Sequence, residues 1–483
     1  MSTTGKKVTA ALLATGLFAF SSAAMATNGY FTHGVGTESK AMGGTGVGSS
    51  ENMGAISAAS NPALTVFSDD KWQVGLSIFS PMRSYTASSS LANGQGGAFT
   101  LGAGSYDSKN EAFPIPYVAK NWKLKNDKAL TFVFYGRGGM NTEWDSGQTA
   151  TFDPTGTGAQ PVTVPGLFGG GAFGSEFVAT GVDLMQAFMS LNFAAKVGDN
   201  FAWGIGPVVA VQLFELTGLP AFSGYTQTFA DAAAGGTPPQ EIQVPSLTNN
   251  GHDTSVGYGF SAGMWAGNDK VSFGLAYQSK MSMDEFSEYA DLYAQRGGFD
   301  IPSTLKAGVS FKAADDLIFN VDYERIGYSE IDSVSNPISN LIGGCWTANP
   351  DPFNPSNPPF APFPESSGCL GGPSGAGFGW DDMTVYKFGL AWAANDKNVW
   401  RFGYSYGEQP IPTTEMLFNI MAPGVMEQHF TVGWTSERAN GNVLSFSLMY
   451  APSTTVAGTN TFDPTQTIEL EMSQLDFEVA YRF

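Results

Sequence analysis

The sequence predicts an all-β chain: a 14-stranded antiparallel transmembrane β-barrel with an N-terminal hatch, or plug, inside its lumen. Three observations predict it. The chain opens on an export signal. Six short polar turns each sit between runs of period-two hydrophobic alternation. The last strand is amphipathic and ends on Phe483.

Lys6 and Lys7 precede the apolar run Val8 to Phe20, and Ala24-Met25-Ala26 offers the small residues that a signal peptidase reads. The run is too short to span a bilayer as a helix, so residues 1–26 read as a cleaved signal peptide with Thr27 as the mature N-terminus. No later segment has the apolar length of a transmembrane helix. The net charge of −20 becomes −22 once Lys6 and Lys7 are removed, which excludes nucleic acid as a natural partner. Charged residues at 14% are few for a soluble acidic chain, while 60 Gly and 13% aromatics are many. The histidines His33, His252 and His429 are scattered, so neither a metal nor a cofactor is expected.

Residues 27–70 are Gly- and Ser-rich but lack the charge of a solvated tail. Fourteen strands enclose a lumen too wide for side chains alone to fill, which favours a plug over a disordered tail. Residues 71–483 form the barrel. Its first strand is Lys71 to Phe79. Turns follow near Asn126, Gly198, Asn268, Asp315, Asn395 and Asn440, each a polar Asn/Asp/Gly cluster. Around Asn395, Tyr386, Phe388, Leu390 and Trp392 alternate with Lys387, Gly389 and Ala391, and the pattern repeats from Trp400 to Tyr406. Six hairpins and two end strands give fourteen, with strands of ten to fifteen residues expected. The other seven connections read as long loops. Short turns then face the periplasm and long loops the outside, with both termini periplasmic.

The last strand, Leu475 to Phe483, places Leu475, Phe477, Val479 and Tyr481 on one face. Ile468, Leu470 and Met472 have the opposite parity, so either a bulge lies near Ser473 or the chain there rises above the membrane. Lipid demands internally paired backbone, which a closed sheet supplies with its apolar face outward. A soluble sandwich or propeller is the competing architecture. The export signal, turn asymmetry and lack of a blade repeat argue against it.

Cys345 and Cys369 flank a Pro-rich stretch. In an exported chain they read as one disulfide across a long loop, the alternative being two unpaired thiols. Two loops are unusually apolar. One carries Leu167, Phe168 and Phe173; the other carries Leu219, Phe222, Tyr225 and Phe229. Exposed apolar patches mark interaction sites, although such residues can equally pack a loop onto the rim. In the third strand, "FYGRGGMNTEW", Gly136, Gly138 and Gly139 surround Arg137 and signal a bulge, bend or close approach. Parity points Arg137, Lys306, Lys387, Arg401 and His429 inward.

"GVGTESKAMGGTGVG", followed by "NPAL" at Asn61, Pro62 and Ala63, resembles the N-terminal hatch of the FadL family of outer-membrane long-chain fatty acid transporters and their hydrocarbon-transporting relatives. The resemblance covers essentially the whole mature chain. It implies that the Asn-Pro-Ala segment helps hold the hatch closed and that Tyr30 and Phe31 reach into the ligand site. It also implies a capture groove between the two apolar loops and a lateral gap at the third-strand kink.

The implied function is passive transport of hydrophobic molecules, first of all long-chain fatty acids, with monoaromatic or alkane hydrocarbons as the alternative. Of the inward side chains, Arg137, Lys306, Lys387 and His429 are the lumen candidates for ligand contact. A cation could meet a fatty acid carboxylate, though pairing with a plug or wall acid is the commoner fate of a lumen charge. No enzyme is implied; an outer-membrane lipid-modifying enzyme is the distant alternative and would need His252 or His429 beside a nucleophile. The partners implied are hydrophobic small molecules, outer-membrane lipid and lipopolysaccharide, and the assembly machinery that reads the terminal strand. A monomer is expected.

Overall fold

The computed structural model describes residues 27–145, 148–153, 160–169, 179–237, 241–348, 360–362 and 367–483. The expected signal peptide and Phe173 lie outside the described residues. Sixteen strands bond into one antiparallel sheet, and two of these, Gly104–Asp107 and Ser282–Met283, are short flaps. The remaining fourteen are β1 (Trp72–Ala87), β2 (Phe113–Leu124), β3 (Lys128–Trp144), β4 (Thr180–Lys196), β5 (Phe201–Thr217), β6 (Asp253–Gly267), β7 (Val271–Gln278), β8 (Thr304–Ala314), β9 (Leu317–Ile326), β10 (Met383–Asn395), β11 (Asn398–Gly407), β12 (Gln428–Glu437), β13 (Val443–Asn460) and β14 (Asp463–Arg482). β1 pairs with β14 from Gln73↔Arg482 to Ala87↔Ile468, which closes the sheet into a barrel.

All six expected turns join hairpins, β2–β3 through β12–β13. In the first, Asn126 and Asp127 hold φ of 61° and 52°, the left-handed geometry that Asn and Asp tolerate. Alternation sets the faces. Tyr386 and Phe388 are 50% and 48% exposed, while Lys387 between them is 2% exposed. A bare aromatic row of this kind around a closed sheet is a lipid-facing surface.

Two expectations needed correction. The strands run from 8 residues in β7 to 20 in β14, because several continue past the apolar band. In addition, β13 and β14 join through Thr461 and Phe462 alone, so only six connections are long loops.

Around Ser473 a register irregularity is present, but on the neighbouring strand rather than in β14. Parity in β14 is unbroken, with Ile468, Leu470 and Met472 inward and Glu469 and Glu471 outward. The register shift lies across the ladder, between Ala451 and Thr454 of β13. Outward carboxylates above Leu475 place this part of the wall beyond hydrocarbon, since a charge facing lipid would be costly.

The N-terminal segment lies inside the wall. Its elements are a helical turn, Thr37–Lys40, and two 3-10 helices, Ala55–Ala59 and Pro62–Phe67. Lys40 Nζ stands 2.7 Å from both Asp476 and Glu478, two inward residues of β14. Asp322 of β9 accepts the backbone N–H groups of Gly46 and Val47 at 2.7 and 2.9 Å. Arg401 of β11 pairs with Glu51. The segment approaches so closely that a Cβ on Gly204 would stand 2.5 Å from the Pro62 carbonyl carbon.

Candidate functional site

Asn61 holds the lower corner of the lumen segment. Its carbonyl oxygen Oδ1 accepts the Ala63 N–H at 3.0 Å, capping the 3-10 helix that Pro62 begins. Its amide donates to the carbonyls of Val47 (2.9 Å) and Met264 (3.0 Å). One side chain thus links two stretches of the segment to β6. Extended φ and ψ at Asn61, −154° and 110°, follow from the proline after it.

The glycine-rich part of β3 is a bulge. Gly136 pairs with Ala187 and Gly138 with Gln186, so Arg137 is the extra residue. On the other edge the ladder to β2 ends at Tyr117↔Tyr135. Beyond that pair, β3 bonds to the N-terminal segment. The Thr32 N–H donates to the Arg137 carbonyl at 2.9 Å, the Gly139 N–H donates to the Tyr30 carbonyl at 3.0 Å, and Phe31 bridges to Gly138.

Tyr30 and Phe31 are fully buried in an aromatic nest. Tyr30 lies 5.1 Å from Tyr328, 5.8 Å from Trp380 and 6.2 Å from Phe299, ring centre to ring centre. The Tyr328 hydroxyl donates to the Asn28 carbonyl, which fixes the start of the segment. Burial pushes the Tyr30 phenol above its ordinary pKa, so it stays neutral.

A charge centre adjoins the nest. Glu324 of β9 is buried and meets three cations: Lys387 Nζ at 2.6 Å, Lys306 Nζ at 3.5 Å and Arg137 Nη2 at 3.6 Å. Lys306 sits directly across the ladder from Glu324. Arg137 also donates to Gln278 (2.6 Å) and Thr304 (3.1 Å), and its guanidinium stacks 4.3 Å from the Phe31 ring centre. Nest and charge centre therefore meet at Arg137.

His429 is buried, with Nδ1 3.1 Å from Ser405 Oγ, and stacks on His33 at 5.6 Å. This Ser–His pair is covered by the lumen segment. His252 is elsewhere, half-exposed between Asp183 (3.0 Å) and Glu215 (3.1 Å).

The apolar loops fold inward over the barrel mouth. Leu167, Phe168, Leu219 and Phe222 are buried, with Phe168 and Phe222 5.7 Å apart and both against Phe418. Tyr225 and Phe229 are half-buried, and Tyr225 packs on Phe222 at the edge of this cluster. Cys345 and Cys369 form a disulfide, and the Cys345 sulfur approaches the Tyr225 carbonyl.

Residues 12–480 match the sequence model of the outer membrane protein transport family OMPP1/FadL/TodX. The chain belongs to this family. Its fold is similar to that of the Pseudomonas putida toluene transporter TodX (14% identity, 93% of this chain and 98% of that chain, TM-score 0.57). It is similar also to the Ralstonia pickettii toluene transporter TbuX (15%, 93% and 98%, 0.54) and to a Pseudomonas aeruginosa FadL homologue (13%, 94% and 99%, 0.57). At such identities the likeness is one of fold. No curated protein sequence matches.

The FadL/TodX family consists of outer-membrane β-barrels of Gram-negative bacteria that transport hydrophobic molecules, and its members are channels. Sequence reasoning had placed the three cations inward but missed Glu324, at which they meet. Parity within "LIFNVDYERI" turns Asp322 and Glu324 inward, so half of that signal was present. Trp380 and Phe299 lie in irregular loops and Tyr328 in a single 3-10 turn, where no periodicity could single them out.

Proposed function

We propose that this FadL/TodX-family chain carries long-chain fatty acids passively across the outer membrane. The observation that best supports this reading is the junction of an aromatic nest and a cationic centre at Arg137. A hydrocarbon tail can replace the Tyr30 and Phe31 rings in the nest. A carboxylate can compete with Glu324 for Arg137 and Lys306, whose contacts at 3.6 and 3.5 Å are looser than that of Lys387 at 2.6 Å.

In this reading ligand first meets the apolar loops on the outer face. Tyr225 and Phe229 offer the accessible edge, and Leu167, Phe168, Leu219 and Phe222 open as a groove. Phe173, outside the described residues, belongs to the same capture region. Ligand then enters the lumen and displaces Tyr30 and Phe31, with His429 among the residues lining the cavity. The N-terminal segment acts as a hatch held below by Asn61, Pro62 and Ala63. Its withdrawal from the Gly136–Gly139 kink leaves the edge of β3 unpaired, and ligand leaves sideways into the bilayer. Affinity must stay modest for release to be fast. Short turns and termini face the periplasm, and the chain works as a monomer after signal cleavage and assembly-machine insertion.

Uptake of monoaromatic or alkane hydrocarbons is the second reading. It is favoured by the fact that all three cations already share an acid, which leaves the nest as an uncharged site. Labelled oleate and labelled toluene, offered to cells lacking their own transporter, separate the two. The fatty acid reading expects this chain to raise oleate uptake well above that of empty cells. A gain for toluene alone favours the second reading, and no gain for either ends the transport account.

A further inference from the structure

We propose that Arg83 anchors a second ligand subsite, binding the carboxylate of an acid whose apolar tail lies in a cleft beside β3. The subsite rests on the transport reading above and adds to it a residue and a ligand class. Arg83 points inward from β1 and is 4% exposed. Nη1 donates to the Asn141 carbonyl, and the guanidinium lies 5.6 Å from the Phe113 ring centre. Nε and Nη2 have no hydrogen-bond partner. Among the described residues no carboxylate stands within ion-pair distance of it, whereas Lys40, Arg137, Lys306, Lys387 and Arg401 each have one.

The guanidinium borders a cleft lined by Pro81, Met140, Trp380, Met421, Pro423 and Met472. In this state the cleft is narrow, with room for little more than a water-sized body. Its apolar lining cannot satisfy the free donors; the exposed Glu111 acts on Arg83 only through space, and a buried cation with no paired carboxylate is costly. A carboxylate supplies both the charge and two acceptors matched to the guanidinium fork. Water or a small inorganic anion would satisfy Arg83 but leave the apolar walls unused. Three of the walls are methionines, unbranched and adaptable enough to part around a tail. The cleft also lies where it can receive ligand. Trp380 joins it to the nest of Tyr30, and Met140 belongs to the stretch of β3 beyond the end of the β2 ladder.

The test uses the full chain in nanodiscs, a diazirine-bearing fatty acid and the diazirine alcohol of equal length. After photolysis, peptides carrying Met140, Met421 and Met472 are quantified. Heat-modifiable gel mobility confirms a folded barrel in each variant. Arg83→Met is expected to lower acid labelling of these peptides by about tenfold or more while labelling by the alcohol is unchanged. Arg83→Lys keeps the charge but not the guanidinium fork, so its acid labelling falls between that of wild type and that of Arg83→Met. Should Arg83→Met not assemble, Arg83→Gln takes its place with the same expectation. An excess of inorganic phosphate leaves wild-type labelling in place if the tail matters, and abolishes it if Arg83 is a simple anion site. Equal acid labelling in wild type and Arg83→Met, or equal loss of acid and alcohol, overturns the subsite. Labelling near Tyr30 and Phe31 without labelling in the cleft overturns the subsite alone. No lumen labelling by either probe overturns the transport reading with it.

Discussion

Asn61 and Lys40 carry much of the attachment between the lumen segment and the wall. Asn61→Ala removes a helix cap and two donated hydrogen bonds and leaves the carbonyls of Val47 and Met264 without these donors. We expect a cost of about 1–3 kcal/mol, seen as faster amide exchange over residues 62–67 with the barrel intact. Lys40→Met strands two buried carboxylates, Asp476 and Glu478, and should cost about 3–5 kcal/mol in urea unfolding. His33 responds to pH. Burial, with Lys40 and Lys387 alongside, holds its imidazole well below the ordinary range, so it folds neutral. Its contribution is fully present above the unfolded value of about 6.5 and fades as pH falls. Amide protection over residues 28–48, measured against the intrinsic exchange rate at each pH, should therefore fall between pH 7 and pH 5. Lys387 was legible at this scale because alternation with Tyr386 and Phe388 fixes its face. The partner of Lys387 was not, because periodicity says which way a side chain points and nothing about what it meets.

The bulge in β3 is the element on which the proposed exit depends. A Cβ on Gly138 would collide with the Gln186 side chain and press on Phe31. Gly138→Ala should therefore disturb the contact between the N-terminal segment and β3, changing oleate uptake severalfold while the barrel still shows its heat-shifted mobility. At the long-loop rim, His252 clamps the end of the β5–β6 loop between Asp183 of β4 and Glu215 of β5. The hydrogen bond to Asp183 raises its pKa. This clamp is complete below about pH 6.5 and is lost as pH rises through the raised value, so protection at Asn249 and Asn250, measured against the intrinsic exchange rate, should fall at alkaline pH. The hairpins were legible because tight turns have their own chemistry, as at Asn126 and Asp127. The short β13–β14 connection was not, because Ser, Thr and Gly alternate there without an apolar face and read as loop. The loop aromatics were legible as a group, but whether Phe168 and Phe222 meet solvent or each other depends on contacts between distant loops.

At the scale of the whole molecule, two surfaces of opposite character share one sheet. The outer face carries exposed rows such as Leu76 and Ile78 on β1 and Leu475 and Phe477 on β14. The inner face carries Lys306, Glu324 and Lys387, tied to each other and, through Lys387, to the His33 carbonyl of the N-terminal segment. At Gly138 and Gly139 one edge of β3 stays paired with β4, while the edge facing β2 is bonded to that segment instead. The central claim is that hydrophobic ligand breaks this contact while the segment's anchors farther along the chain hold. The direct measurement is amide exchange of the chain in nanodiscs with and without saturating oleate. The account predicts faster exchange at Thr32 and Gly139, with Gly46 and Val47, anchored on Asp322, unchanged. Exchange at Thr32 and Gly139 that stays the same or slows when oleate is bound would contradict it.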